Sequence, residues 1–301
     1  MDRLTSFGVF VATVEEGSLV AAARKFGLSP SMAGKHVSAL EADLGVRLMQ
    51  RSTRQLTLTD VGRAYYIRCQ RILEEVDEAD REAGDSQFVA RGTLRVAAPT
   101  TFGAIHLGGV VARYLDQHPE VTIEVRLNDQ YVDLLAEGID IAIRIGKLLD
   151  SDLVARRLAP CRMVFCAAPD FLTAHGLANT LEDLHRAPRL AFSNAVSKGD
   201  WTATDSQGQA HTLDGPLRLS SDNTQMLLAA TLEGAGITYG PSFVFGEHLA
   251  RGDLIVLLPD FRTVSLAIHA VYPSARHVSL KLRRFIDHLA TSFGDTPPWP
   301  S

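Results

Sequence analysis

Leu4, Phe7, Val11 and Val14 recur at helical spacing and predict a first helix with one apolar face. Gly17 ends that helix, and Ser18 offers a side-chain oxygen to cap the next. The second helix, Leu19 to Phe26, carries Ala21, Ala22 and Ala23, small enough for a close helix crossing. After Gly27 and Leu28, Ser29 caps a third helix, and Pro30 sits in the first turn, where the missing N–H is tolerated. In it Ala33, Val37, Leu40 and Leu44 form the buried stripe, which leaves Ser31, Met32, Lys35, His36 and Ser38 largely on other faces. Two helices joined by a short Gly-containing turn, the second exposing small polar and basic side chains, are the layout of a helix-turn-helix.

The periodicity then changes. Val46 to Arg51 and Leu56 to Thr59 are short strand-like runs flanking a polar tip that contains Thr53 and Arg54, the pattern of a β-wing. Arg51 and Arg54 on such a hairpin reach phosphates or a minor groove while the third helix occupies the major groove. Thr59 caps a long helix from about Asp60 to Ala83. Its residues Val61, Tyr65, Ile72, Val76, Ala79 and Ala83 approximate an a/d seam interrupted by Arg68. Pairing with a second copy is favoured over simple packing, because the stripe would otherwise stay exposed on a small N-terminal domain.

From Gly92 onward, strands alternate with helices: strand Leu94 to Ala98, helix Thr101 to Gln117, strand Val121 to Leu127, helix Tyr131 to Glu137, strand Asp140 to Ile145. This βαβαβ run predicts a parallel sheet with right-handed crossovers. Strands at Leu153 to Leu158 and Met163 to Ala167 follow, then strands with polar loops over Arg189 to Leu219. Next come helix Thr224 to Glu233, strand Ile237 to Tyr239, helix Phe243 to Arg251 and strand Leu254 to Leu257. Strand Val264 to Val271 and helix Val278 to Ser292 return to the first layer, giving two α/β lobes with crossovers near Pro160 and Arg262 and a cleft between them.

Charge changes the picture. The 301-residue chain has a formal net charge of −5, which taken globally argues against a nucleic-acid partner. Between Gly17 and Ile72, however, nine basic residues face three acidic ones, a net of +6 that leaves −11 for the rest. A basic head on an acidic body suits one segment meeting a polyanion, with chance clustering as the plainer alternative. Cys69, Cys161 and Cys166 have no CxxC spacing and indicate neither a disulfide framework nor a zinc site. With no apolar run of membrane-spanning length and no signal-like N-terminus, the expected location is the cytoplasm.

Residues Gly17 to Ser29, then Val37-Ser38-Ala39-Leu40-Glu41, Leu44-Gly45-Val46-Arg47-Leu48, Arg51 and Leu58-Thr59-Asp60-Val61-Gly62, resemble the DNA-binding signature of the LysR-type transcriptional regulators. Asp140-Ile141-Ala142-Ile143-Arg144-Ile145-Gly146 and Gly234 to Pro241 are similar to recurrent elements of that family's effector domain. The resemblance implies a winged helix-turn-helix with a long linker helix, followed by a two-lobed, periplasmic-binding-protein-like α/β effector domain assembled as a homodimer or homotetramer. The expected division is residues 1–59 for the DNA-binding head, 60–89 for the linker and 90–301 for the effector domain. Within the last, lobe 1 takes about 90–160 and 264–301 and lobe 2 about 161–263. Pro30, Gly34 and Met49 depart from the family's usual Gln, Ser and Phe.

The expected function is sequence-specific binding of double-stranded DNA under the control of a small polar or anionic effector held between the lobes. Lys35 and His36 are the leading base-edge candidates, with Ser29 and Ser31 as phosphate donors at a helix N-terminus and Met32, Arg51, Thr53 and Arg54 completing the DNA set. For the effector, Thr100, Thr101 and Phe102 follow a strand and open a helix, though Thr100 as a simple cap fits the same pattern. Arg144 at a strand end suits either a ligand carboxylate or a dimer face. Ser193, Asn194, Trp201 and Asn223 lie at strand ends or loops of the second lobe, and Thr238 and Tyr239 fit a cleft or a core position equally. Gly234, Gly236 and Gly240 lead from helix to strand, the wrong order for a dinucleotide loop. No metal-ligand spacing, nucleophile–base pair or cofactor motif is present, so neither a cofactor nor an enzymatic activity is expected.

Overall fold

The computed structural model describes residues 2–51, 56–82, 89–146, 148, 152–176, 180–193, 201–273 and 278–299. Its contacts divide the chain into one unit of Met1–Val89 with Asp133–Ile139 and a second of Ala90–Val132 with Asp140–Ser301.

In the first unit, α1 (Arg3–Glu15) begins at Asp2, whose side chain accepts from the Thr5 N–H. It is buried on several sides rather than along one stripe: Phe7, Val9, Phe10 and Val11 are all inside, whereas Leu4 is 41% exposed. The reason is that α1 packs against three elements: α2 (Leu19–Lys25), α3 (Pro30–Leu44) and α4 (Asp60–Glu82). Ser18 and Ser29 cap α2 and α3 as expected, and Gly45, at φ 68°, closes α3 in a left-handed conformation. Strands β1 (Met49–Arg51) and β2 (Leu56–Leu58) pair antiparallel, with Met49 opposite Leu58. Thr59 then accepts from the Gly62 N–H at 2.9 Å to start α4. Tyr65 of α4 packs between the Phe7 and Phe10 rings, so it belongs to this core and not to the outer seam, where Val61 and Ile72 remain exposed.

In the second unit, β3 (Gly92–Ala98) is parallel to β4 (Val121–Leu127) and β5 (Ile141–Ile145). Between β3 and β4 the helix runs without a break through α5 (Thr100–Phe102), a π-helical turn (Gly103–Leu107) and α6 (Gly108–Gln117). The helix expected over Tyr131 to Glu137 is a single turn, most of it in the Asp133–Ile139 segment that counts with the first unit. Asp133 accepts from the Leu135 and Ala136 N–H groups, and Gly138 at φ 67° stops propagation at once.

The two strands expected on either side of Pro160 are one 15-residue strand, β6 (Leu153–Ala167). Pro160 is accommodated because its neighbourhood is irregular: the register against β13 (Ser265–Pro273) shifts between Arg157 and Ala159. Towards its start, β6 joins β13, β5, β3 and β4 in the first lobe's sheet. Beyond Pro160 it joins the second lobe's sheet, lying between β11 (Ile237–Pro241) and β12 (Ile255–Leu257), with β7 (Arg189–Phe192) and β10 (Leu217–Ser221) outside β11. Strands β8 (Thr202–Thr204) and β9 (Ala210–Thr212) form a hairpin. Helices α7 (Pro169–His175), α8 (Leu181–Arg186), α9 (Thr224–Leu232), α10 (Ser242–Arg251) and α11 (Leu280–Phe293) complete the layers.

Candidate functional site

On the head, residues i, i+4 and i+7 of α3 share a face, and Ser31, Lys35 and Ser38 are exposed there beside Met32. Ser29 uses its Oγ to accept from the Met32 N–H at 3.2 Å and remains exposed. His36 departs from the expected outer face. It is 5% exposed, and its Nδ1 lies 2.9 Å from Ser6 Oγ, so it ties α3 to α1 and does not share the outer face. The cause is helical phase, since His36 adjoins Val37 and falls on the stripe that α1 covers. The Arg51 side chain, Thr53 and Arg54 lie outside the described residues.

A residue missed by the sequence reading holds the wing in place. Glu41 is 7% exposed, and its Oε1 accepts from the Leu48 and Met49 N–H groups at 2.9 and 3.2 Å, while Oε2 pairs with Arg47 Nη1 at 3.0 Å. Its only sequence signal was an acid beside the apolar Leu40 and Leu44 positions.

In the second unit, the structure brings Thr101 of the first lobe against Thr224 of the second, whose Oγ1 donates to Thr101 Oγ1 at 2.6 Å. Thr224 was not foreseen, although Asn223 was. Asn223 Oδ1 accepts from the Gln225 and Met226 N–H groups and thereby sets the start of α9. Ser193 is exposed, and its N–H donates to the Ser221 carbonyl at the end of β10, two residues before Asn223. Thr100, partly exposed, donates its N–H to Asp129 at 3.1 Å. Hydroxyls and amides from both lobes therefore converge at the facing starts of α5 and α9.

Other candidates sit elsewhere. Phe102 is fully buried among the Phe243, Phe293 and Trp299 rings, so it backs Thr101 and offers no surface of its own. Trp201 is 6% exposed, lying 5.8 Å from the Phe165 ring and 6.0 Å from that of Tyr239. Thr238 is fully buried and donates to the Leu190 carbonyl across the β11–β7 pair. Burial also pushes the Tyr239 phenol above its ordinary range, with its ring stacked 4.2 Å from Phe165. These three are core residues of the second lobe. Arg144 donates to the Val132 carbonyl at 3.2 Å and lies over the Tyr131 ring, which fixes it beside the 131–132 loop. Asn194 lies outside the described residues. No group of three or more His, Cys, Asp or Glu side chains among the described residues is placed to hold a metal ion, and no described helix is long and apolar enough to cross a membrane.

A winged helix-turn-helix with an exposed Ser/Lys face and a two-lobed α/β domain whose lobes meet at hydroxyl groups define a ligand-responsive DNA-binding regulator. Two family models match. Residues 4–63 fit the description "Bacterial regulatory helix-turn-helix protein, lysR family", and residues 89–294 fit "LysR substrate binding domain". The chain belongs to the LysR family of transcriptional regulators. It is 38% identical over 297 residues to the HTH-type transcriptional regulator PtxR of Pseudomonas aeruginosa, covering 98% of this chain and 94% of that protein. It is 33% identical over 293 residues to the HTH-type transcriptional activator AaeR of Escherichia coli, covering 97% and 94%. Among solved structures, CrgA of Neisseria meningitidis, described as a LysR-type transcriptional regulator, superposes with a TM-score of 0.63 at 32% identity, covering 96% of this chain and 98% of that one. The protein is thus a DNA-binding transcriptional regulator with an effector-binding domain, not an enzyme.

Proposed function

We propose that the effector is a small polar or anionic molecule bound where Thr100 and Thr101 face Asn223 and Thr224, with Ser193 at the rim. The Thr224–Thr101 hydrogen bond carries this reading, because a ligand that takes over those hydroxyls changes how the lobes meet. Arg144, on β5 next to β3, serves the 131–132 loop. We place DNA contact on Ser29, Ser31, Met32 and Lys35 together with the wing residues Arg51, Thr53 and Arg54. We keep residues 1–59 as the head, 60–89 as the linker and 90–301 as the effector domain, in a homodimer or homotetramer acting in the cytoplasm. The exposed Val61 and Ile72 of α4 support pairing through that helix. A thermal-shift screen of metabolites tests the effector site. A hit should lose its shift in Thr101→Ala and Thr224→Val, and a hit insensitive to both places the site elsewhere.

A further inference from the structure

We infer that Trp299 is a positioning residue at the end of a strap, Gly294–Trp299, which pins the two lobes together beside the Thr101–Thr224 seam. The inference rests on that seam being the effector site.

Trp299 is 6% exposed although it follows the last helix and belongs to no regular element. Its ring centroid lies 4.7 Å from that of His106, 5.9 Å from Phe102 and 5.8 Å from Phe293, all on first-lobe elements. It also lies 6.0 Å from Phe243, in the first turn of the second lobe's α10. Phe243 touches Phe102 directly at 5.4 Å in an edge-to-face arrangement, and its carbonyl lies 3.0 Å from His106 Nε2. Adjacent residues thus meet the second lobe twice, Thr101 through its hydroxyl and Phe102 through its ring. Trp299 covers the second of these contacts and touches both sides of it.

Two details distinguish a strap from ordinary core packing. First, Asp295 receives a hydrogen bond at 2.8 Å from Arg157 Nη1 on β6, the strand that runs through both lobes, so the segment is tied at each end. Second, among the described residues no ladder or helix hydrogen bond holds the segment beyond Gly294, so it can detach without unfolding either sheet. His106 lies in the π-helical turn that follows Phe102, and such turns occur frequently at functional sites. Separating the lobes pulls Phe243 away from Phe102, His106 and Trp299 together. Docking of the strap and occupancy of the cleft are thereby linked through one lobe arrangement.

Hydrogen exchange on the full-length protein tests the strap without any effector. In Trp299→Ala, amides of Gly103–Leu107 and the first turn of α10 should exchange about tenfold faster, while those of β3, β4 and β13 keep their wild-type rates. Trp299→Phe, which leaves a ring in the seam, should restore most of the protection. Unchanged exchange at both segments overturns the strap, as does uniform acceleration across the domain, the mark of a merely structural residue. If the alanine variant does not fold, Trp299→Leu is read by the same criteria. A metabolite shift insensitive to Thr101→Ala would remove the effector reading and leave the exchange result intact. Unchanged exchange would remove the strap and leave the effector reading standing.

Discussion

Glu41 Oε1 lies 2.9 Å from the Leu48 backbone nitrogen, so a single buried carboxylate on α3 fixes where the wing begins. Removing it strands the Leu48 and Met49 N–H groups in a buried position. A buried donor left unsatisfied costs about 1–3 kcal/mol, so Glu41→Ala should destabilise the head by about 3 kcal/mol. A low-temperature loss of head structure, read by thermal denaturation alongside DNA binding, is the expected outcome. A wild-type melting profile would show that the wing does not depend on Glu41.

The same corner is closed from the other side by Gly62. A Cβ at this position would lie 1.9 Å from the Leu48 carbonyl oxygen, a backbone atom with little freedom to retreat. Gly62→Ala should therefore shift α4 away from β1 and cost about 3 kcal/mol, the upper range for overpacking. Weakened DNA binding that persists at low temperature, with the regulatory domain's melting unchanged, would confirm this. A fully active Gly62→Ala protein would contradict it.

Lys35 and His36 are neighbours with opposite assignments, and paired variants separate them. Lys35→Ala should weaken duplex binding and lower the salt slope by about one, as loss of one phosphate contact does, or relax specificity at one base position. His36→Ala should leave base preference untouched and cost about 1 kcal/mol of stability through the lost Ser6 bond. Anisotropy titrations across salt concentrations, run beside thermal melts, distinguish the two. A specificity change in His36→Ala would return it to the DNA face.

Much of the head was readable because its signals are local. Ser18, Ser29 and Thr59 each bond an N–H two or three residues ahead, which needs no tertiary information. His36 failed because a polar residue at the edge of an apolar stripe is buried or exposed according to what lies opposite, and α1 supplies Ser6 there. In the regulatory domain, Pro160 suggested a break, yet β6 continues because a register shift near it absorbs the irregularity. Helices α7 and α8 were not foreseen, although Pro169 and the Thr180–Asp183 capping box marked their starts. At the seam, Thr101 was recognisable from its place after a strand. Its partner Thr224, 123 positions away, is joined to it only by the packing of two lobes.

The cysteines should be chemically silent in the native state. Burial pushes the Cys69 thiol up to about 11 and that of Cys161 up to about 12, and raises Cys166 further still. Thiolates are the reactive form, so at pH 8 a disulfide reagent should titrate none of the three in the folded protein and all three after denaturation. Rapid native labelling of any of them would mean that its surroundings open readily.

Acid should loosen the regulatory domain well before its carboxylates titrate. Burial holds His106, His118 and His269 below their ordinary range, with nearby Arg284 adding to the effect at His118 and Arg157 at His269. Each imidazole is therefore neutral in the fold and gains its proton more easily in the unfolded chain, whose reference value is 6.5. The stability these groups contribute is present above pH 6.5 and is lost as pH falls towards their folded values, because the unfolded state then binds more protons. Asp205, Asp214 and Asp253 are held below 3.8 by their histidine partners, so their contribution is lost only below that value. Between pH 7.5 and 5 the histidines consequently dominate, and the melting temperature of the regulatory domain should fall. His106→Gln keeps a donor near the Phe243 carbonyl but cannot titrate, and should flatten part of that fall. A melting temperature that is constant or rises on acidification would mean that these imidazoles are not held neutral by the fold.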